Sequence, residues 1–310
     1  MPLKLLDSLK CLVFYVKALR PRNFYMDLQK AYQKCQRLAD EHYENFPVAR
    51  LVPKAIRKHV AAVYAFARTA DDIADEDHET LAADSPLRIE RLNAFCRKLD
   101  DSLKQPPVFD AEHEWIFAPV ADTIRKFCIP PQLFKDLVSA FAQDVVKKRY
   151  ADFEELLDYC RRSANPVGRL VLLLHGFKDE ERFALSDKIC TALQLANFWQ
   201  DISVDKTKGR IYVPITDWGG LTEEDFLFKP ISDEMRACIK SQVERTQKMF
   251  DEGKRLFKKL HFPLSLEIKI TVAGGMGILE KIRSQNFDTI TRRPKFSKAD
   301  KLRLLLKSLF

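Results

Sequence analysis

Residues 60–75 read VAAVYAFARTADDIAD, an alanine-rich stretch without glycine or proline that ends in acids. Its apolar residues recur at helical spacing, and that period predicts an α-helix. Along it, Tyr64, Arg68, Asp71 and Asp75 stand four, three and four residues apart. At about 100° per residue they fall within an arc of roughly 60°. Asp72 lies near the edge of this arc, and Glu76 and Asp77 point elsewhere. A second stripe lies in residues 192–205, ALQLANFWQDISVD. There Gln194, Asn197, Asp201 and Asp205 are spaced three, four and four apart, about 80° wide.

Polar groups on an otherwise apolar helix are costly unless something satisfies them. Two such helices facing each other would gather Asp71, Asp75, Asp201 and Asp205 around one cavity. Their charges repel strongly in a low dielectric, and divalent cations remove that repulsion. Mg2+ takes one or two carboxylates and completes its shell with water and phosphate oxygens, so the pattern points to a phosphorylated ligand held through Mg2+. Arg68 would pair with phosphate or steady a carboxylate. Lys208 and Arg210, shortly after Asp205, could close over the same anion. Loss of a metal-bound diphosphate leaves a carbocation, and Tyr64, Phe66, Phe198 and Trp199 offer aromatic faces to steady one, or simply core packing. The competing explanation is two unrelated salt-bridged helix faces. Two aspartate pairs at i, i+4, each with polar partners along its stripe, argue against it.

The rest of the chain agrees with a helical protein. Glycine is scarce, 9 of 310 residues, under half the usual share of about 7%. Strand-turn folds need more of it, so the expectation is all-α. Prolines fall mostly between periodic segments, suggesting one domain of roughly ten helices over residues 25–310, with loops near 82–88, 105–110 and 206–230. The last loop is long and turn-rich enough for a functional flap. Pro166, inside the helical pattern YCRRSANPVGRLVLLLHG, should kink its helix.

Residues 1–24 carry lysines at 4, 10 and 17 among leucines, which suits either an interfacial amphipathic extension or an ordinary packing helix. The leucine-rich, basic tail KADKLRLLLKSLF leaves the same two options. No run approaches the roughly 18 apolar residues of a membrane span. Seven scattered cysteines suit reduced thiols in the cytoplasm and argue against a zinc site. The net charge of +8 suits an anionic membrane face or a phosphorylated substrate. Without a finger, an RNP-like motif or a basic arm, nucleic acid is not expected. His59, His113, His175 and His261 have no partners at ligand spacing and read as structural or solvent-facing.

At these residues the chain resembles the squalene/phytoene synthase family of head-to-head prenyl synthases, over about residues 28–306. YAFARTADDIAD resembles the family's first aspartate-rich motif, QLANFWQDISVD its second, and YADFEELLDYCRRSANPVG the central kinked helix beside the substrate channel. The resemblance implies the all-α isoprenoid synthase bundle, a single domain with a central cavity. It implies Mg2+ held by Asp71, Asp75, Asn197, Asp201 and Asp205, with Tyr64, Arg68 and Gln194 lining the site. Arg292, in NFDTITRRPKF, falls where the family often places a diphosphate-binding arginine.

The departures choose within the family. In HYENFPVAR, His42 and Phe46 match the substrate-binding segment, but Glu44 replaces a lysine and Asn45 a serine. Gln200 replaces an arginine, and Asn165–Pro166 replace Gly-Thr at the kink. Fewer cations suit an enzyme handling one diphosphate. The pattern is similar to the hydroxysqualene-forming branch of hopanoid biosynthesis. That branch ionises presqualene diphosphate, rearranges the cation and captures water. Glu44, Asn45 and Asn165 are candidates for placing the water. The alternatives are a squalene, presqualene diphosphate or phytoene synthase condensing two prenyl diphosphates, and, more remotely, a non-catalytic assembly protein of this fold. A lipid substrate makes peripheral contact with the inner face of the cytoplasmic membrane, or with other enzymes of the squalene pathway, chemically sensible.

Overall fold

The computed structural model describes residues 27–42, 52–75, 86–297 and 300. Among them the secondary structure is helical throughout, as expected. In chain order the helices are α1 (Leu28–His42), α2 (Lys54–Asp75), α3 (Pro86–Leu103), α4 (Glu114–Phe127), α5 (Gln132–Val146) and α6 (Phe153–Ser163). They continue as α7 (Asn165–Leu174), α8 (Glu180–Asp205), α9 (Glu223–Phe228), α10 (Asp233–Gly253) and α11 (Leu264–Ser284). The amphipathic reading of residues 1–24 and that of the basic tail beyond Asp300 lie outside the described residues. No helix among those described is long and apolar enough to cross a membrane.

Local chemistry starts and stops these helices. Asp152 and Asp179 accept the backbone N–H groups of Glu155 and Arg182, capping α6 and α8. Acids follow in the first turn of both, and Arg161 and Arg162 end α6, so the charges complement the helix dipole. Ser232 caps α10 in the same way.

The two aspartate helices sit at the centre. Helix α2 packs against α1, α3, α4 and α5. Its buried alanines, among them Ala61, Ala62, Ala65 and Ala70, allow that close approach. Phe66, fully buried, packs its ring 5.0 Å from those of Phe95 and Phe134. Helix α8 is the spine of the other half, packed on α7, α10 and α11. Trp199 on α8 is buried and donates its indole N–H to Thr246 Oγ1 of α10 at 2.8 Å. Phe66 and Trp199 are thus core residues, not cavity walls. At Tyr32 the helices α1, α2 and α4 are pinned together. Its hydroxyl donates to Asp122 Oδ2 at 2.7 Å and lies 2.9 Å from His59 Nδ1. His59 is fully buried, as a structural histidine should be.

Several boundaries differ from the sequence expectation. Pro86 to Arg88 open α3 rather than lying in a loop. Pro119 sits inside α4. It has no N–H for the carbonyl of Trp115, four residues earlier, and that oxygen instead accepts from Cys35 Sγ at 3.3 Å. At Pro166 the chain breaks: α6 ends at Ser163, and Ala164 (φ −113°, ψ −46°) joins it to α7. The 206–230 segment is a packed strap. It carries short 3-10 turns at Lys206–Lys208 and Ile215–Asp217 besides α9. Ile211, Tyr212, Val213 and Trp218 are buried, and Asp217 is held by Arg245 at 2.9 Å.

Candidate active site

The two predicted stripes meet. Asp71 and Asp75 of α2 and Gln194, Asn197, Asp201 and Asp205 of α8 line one cavity of about 290 Å3. Phe141 and Asp144 of α5, Tyr159 and Ser163 of α6, Phe198, Arg210 and Tyr212 complete its wall. Tyr159 donates a short hydrogen bond to Asp144 Oδ2. Tyr212 stacks on Phe198, ring centroids 3.8 Å apart. Ser163 Oγ and Asp144 Oδ1 are buried without a hydrogen-bond partner, which marks them as atoms that a bound ligand, ion or water would satisfy.

The electrostatics are lopsided: among the lining side chains five are carboxylates and one, Arg210, is a cation. Burial, then the neighbouring Asp75, raises the pKa of Asp71. Burial, then Asp201, pushes Asp205 up to about 6. Burial also lifts Asp144 to about 6, against the opposing bond from Tyr159. Such a cavity favours added positive charge.

The remaining expected residues divide. Arg68 is turned onto its own helix, 3.4 Å from Asp71 and in a short ion pair with Asp72. Neither it nor Tyr64 lines the cavity. Lys208 lines an adjoining cavity that shares Arg210. Asn165 is buried and accepts from Thr191 Oγ1 at 2.9 Å. It faces a separate groove of about 550 Å3, in line with Glu154, Asp158 and Arg161 on the face of α6 opposite Tyr159 and Ser163. Arg292 is exposed, and its neighbour Arg293 reaches the site instead. Arg293 Nε and Nη2 both donate to Asp201, the latter at 3.0 Å. Gln200 donates to the carbonyl of Pro294 at 2.7 Å, tying down the same segment. The side chain of His42, and Glu44, Asn45 and Phe46, lie outside the described residues.

Asp144, Tyr159, Tyr212 and Arg293 were not anticipated. A lone acid in the apolar run LVSAFAQDVV was the available signal for Asp144.

Among the described residues, no three histidine, cysteine or acidic side chains converge tightly enough to hold an ion by themselves. The aspartate pairs instead face one another across the cavity. That arrangement fits Mg2+, which takes one or two carboxylates per ion and fills its other positions with water and phosphate oxygens. Asp71, Asp75, Asn197, Asp201 and Asp205 are the residues that would hold it.

Residues 39–300 match the family model described as squalene/phytoene synthase. A hydroxysqualene synthase of Rhodopseudomonas palustris is 33% identical over 248 residues, 78% of this chain and 80% of that protein. A chloroplastic phytoene synthase 2 of Oryza sativa subsp. japonica is 28% identical over 89% of this chain and 69% of its own. Among solved structures, squalene synthase HpnC from Alicyclobacillus acidocaldarius superposes with a TM-score of 0.76 at 39% identity, covering 84% of this chain and 95% of its own. A dehydrosqualene synthase, 23% identical, superposes with a TM-score of 0.75 over 91% of this chain and 96% of its own, a likeness of fold.

Proposed function

This chain belongs to the squalene/phytoene synthase family, and on that footing we propose that it converts presqualene diphosphate to hydroxysqualene with Mg2+. The observation that carries the reading is the convergence of both aspartate pairs on one cavity with aromatic walls. Likeness to a hydroxysqualene synthase supports the choice within the family.

When bound, Mg2+ would neutralise the diphosphate and make it a good leaving group. The carboxylates on α2 and α8, with Asn197, would hold Mg2+, and Arg210 adds a fixed positive charge beside them for the head of the substrate. Phe141, Tyr159 and the stacked pair Phe198 and Tyr212 form the aromatic wall beside that head, where positive charge would develop. Tyr159, whose hydroxyl proton is held against Asp144, is a polar group within that aromatic wall. Capture of one water and loss of its proton give the tertiary alcohol. Gln200, neutral where the family resemblance expects an arginine, donates to the carbonyl of Pro294 and so steadies the segment that carries Arg293 to Asp201.

The second reading, condensation of two prenyl diphosphates, is favoured by the likeness to phytoene synthases over 89% of the chain. Substrate choice separates the two. Presqualene diphosphate with Mg2+ and without NADPH should yield the alcohol. Turnover of farnesyl diphosphate alone to a C30 product would favour condensation instead. The cytoplasmic setting, with peripheral contact to the membrane, remains part of the proposal because substrate and product are C30 lipids.

A further inference from the structure

Asp144 and Ser163 reach the aspartate cavity from two different helices, each with an oxygen left over. Asp144 Oδ1 and Ser163 Oγ are both shielded from solvent, and neither has a hydrogen-bond partner. Tyr159 relates the two. On α6, Ser163 stands four residues after Tyr159, one turn on along the same face. The Tyr159 hydroxyl donates to Asp144 Oδ2, which turns the carboxylate toward this face of α6 and leaves only Oδ1 open.

Buried polar atoms of a native fold are almost always bonded, to protein or to ordered water. A single water can answer both of these. The cavity, about 290 Å3, has room for it, since a water takes up about 30 Å3. A carboxylate oxygen only accepts, whereas a serine hydroxyl both donates and accepts. A water that donates one hydrogen to Asp144 Oδ1 and accepts from Ser163 Oγ satisfies both atoms and keeps a lone pair free toward the cavity. Phe141 and Phe198, in the same wall, offer only rings. Asn165, expected from the sequence to place the water, lines a different groove with its Oδ1 already bonded to Thr191.

We infer that Ser163 and Asp144 seat the water that is captured in the proposed reaction, and the inference rests on that reaction. In the capture step a lone pair of this water forms the C–O bond to the cationic carbon. One of its O–H bonds breaks, and the proton passes to the carboxylate of Asp144. The product is the alcohol, and no reductant is consumed. Where no water is seated, the cation instead loses a proton from a neighbouring carbon and becomes a C30 hydrocarbon with one more double bond. Ser163 is thus a positioning residue, holding the nucleophile at the cavity wall without reacting itself.

Two readouts test this, both on the full chain. The first needs no catalysis. A high-resolution crystal structure without metal should show a water about 2.6–3.0 Å from both Ser163 Oγ and Asp144 Oδ1, and Ser163→Ala should lose it. The second is the ratio of alcohol to C30 hydrocarbon formed from presqualene diphosphate with Mg2+, measured by mass spectrometry. Ser163→Ala should lower that ratio by about two- to tenfold, and Ser163→Thr, which keeps the hydroxyl, should hold it near the wild-type value. A merely structural defect slows both products together and leaves the ratio where it was. An unfolding midpoint for each variant shows that the fold is intact. No water at that position in the wild type, or an unchanged ratio in Ser163→Ala, overturns the inference. Wild-type protein that leaves presqualene diphosphate unreacted overturns the proposed reaction and the use of this water in it, while the crystallographic water stands or falls by itself.

Discussion

Arg293 grips Asp201 through two guanidinium nitrogens, so one of the four motif aspartates has a counterion within the protein itself. The pair joins the segment after α11 to the second aspartate stripe, and the bond from Gln200 to Pro294 reinforces the join. An ion approaching Asp201 must compete with this guanidinium. Arg293→Gln should therefore bind Mn2+ about two- to fivefold more tightly in the absence of substrate, the worth of a part-exposed ion pair. Electron paramagnetic resonance of free Mn2+ measures it. Unchanged or weaker affinity would contradict the competition.

The cavity carboxylates predict a signed pH dependence. Asp205 ionises at about 6 in the fold against 3.8 ordinarily, through burial and then Asp201. The fold therefore favours the proton, and this group costs stability as pH rises from the ordinary value through the folded one. His59 acts oppositely. Burial, then Lys126, lowers it to about 4, so it costs stability as pH falls below its ordinary 6.5. A difference between proteins isolates Asp205. The midpoint of metal-free Asp205→Asn minus that of wild type should be larger at about pH 7.5 than at about pH 4. An equal difference at both would remove the strain assigned to Asp205.

Tyr159→Phe deletes the hydroxyl that serves Asp144 and leaves a buried carboxyl with neither oxygen bonded. Denaturant unfolding should show a loss of about 1–3 kcal/mol. Stability equal to wild type would mean that another group takes over the carboxyl.

Two adjacent glycines test how α11 positions α8. A Cβ at Gly275 would lie 2.5 Å from Phe250 Cζ and 2.8 Å from Leu193 Cδ2, one residue before Gln194 of the second stripe. At Gly274 it would meet nothing within 4 Å. Gly275→Ala should destabilise by about 1–3 kcal/mol. Gly274→Ala should be neutral, or stabilising by up to about 1 kcal/mol through helix propensity. Equal effects would show that α11 does not approach α8 as described.

What the sequence made legible follows from periodicity. Asp71, Asp75, Gln194, Asn197, Asp201 and Asp205 lie on helices, where spacing reports direction, and all six line the cavity. Spacing did less well for Tyr64 and Arg68 on the same arc, because Arg68 bonds within its own helix to Asp72. Periodicity is lost in irregular chain. Arg292 and Arg293 are neighbours beyond α11, and nothing in their order says which one turns toward Asp201. Asn165 lines the groove with Glu154, Asp158 and Arg161, the face of α6 away from Tyr159 and Ser163, so position beside the kink was a poor guide to its direction. Asp144 and Tyr159 come from different helices, and their bond exists only in the fold.

The most direct test of the central claim is product analysis by mass spectrometry. Presqualene diphosphate would be incubated with the full chain and Mg2+, without NADPH, in oxygen-18 water. The account predicts hydroxysqualene carrying the heavy oxygen, and none from Asp71→Ala, a variant that should keep its helicity. Unchanged presqualene diphosphate, with farnesyl diphosphate alone turned over to a C30 product, would contradict it.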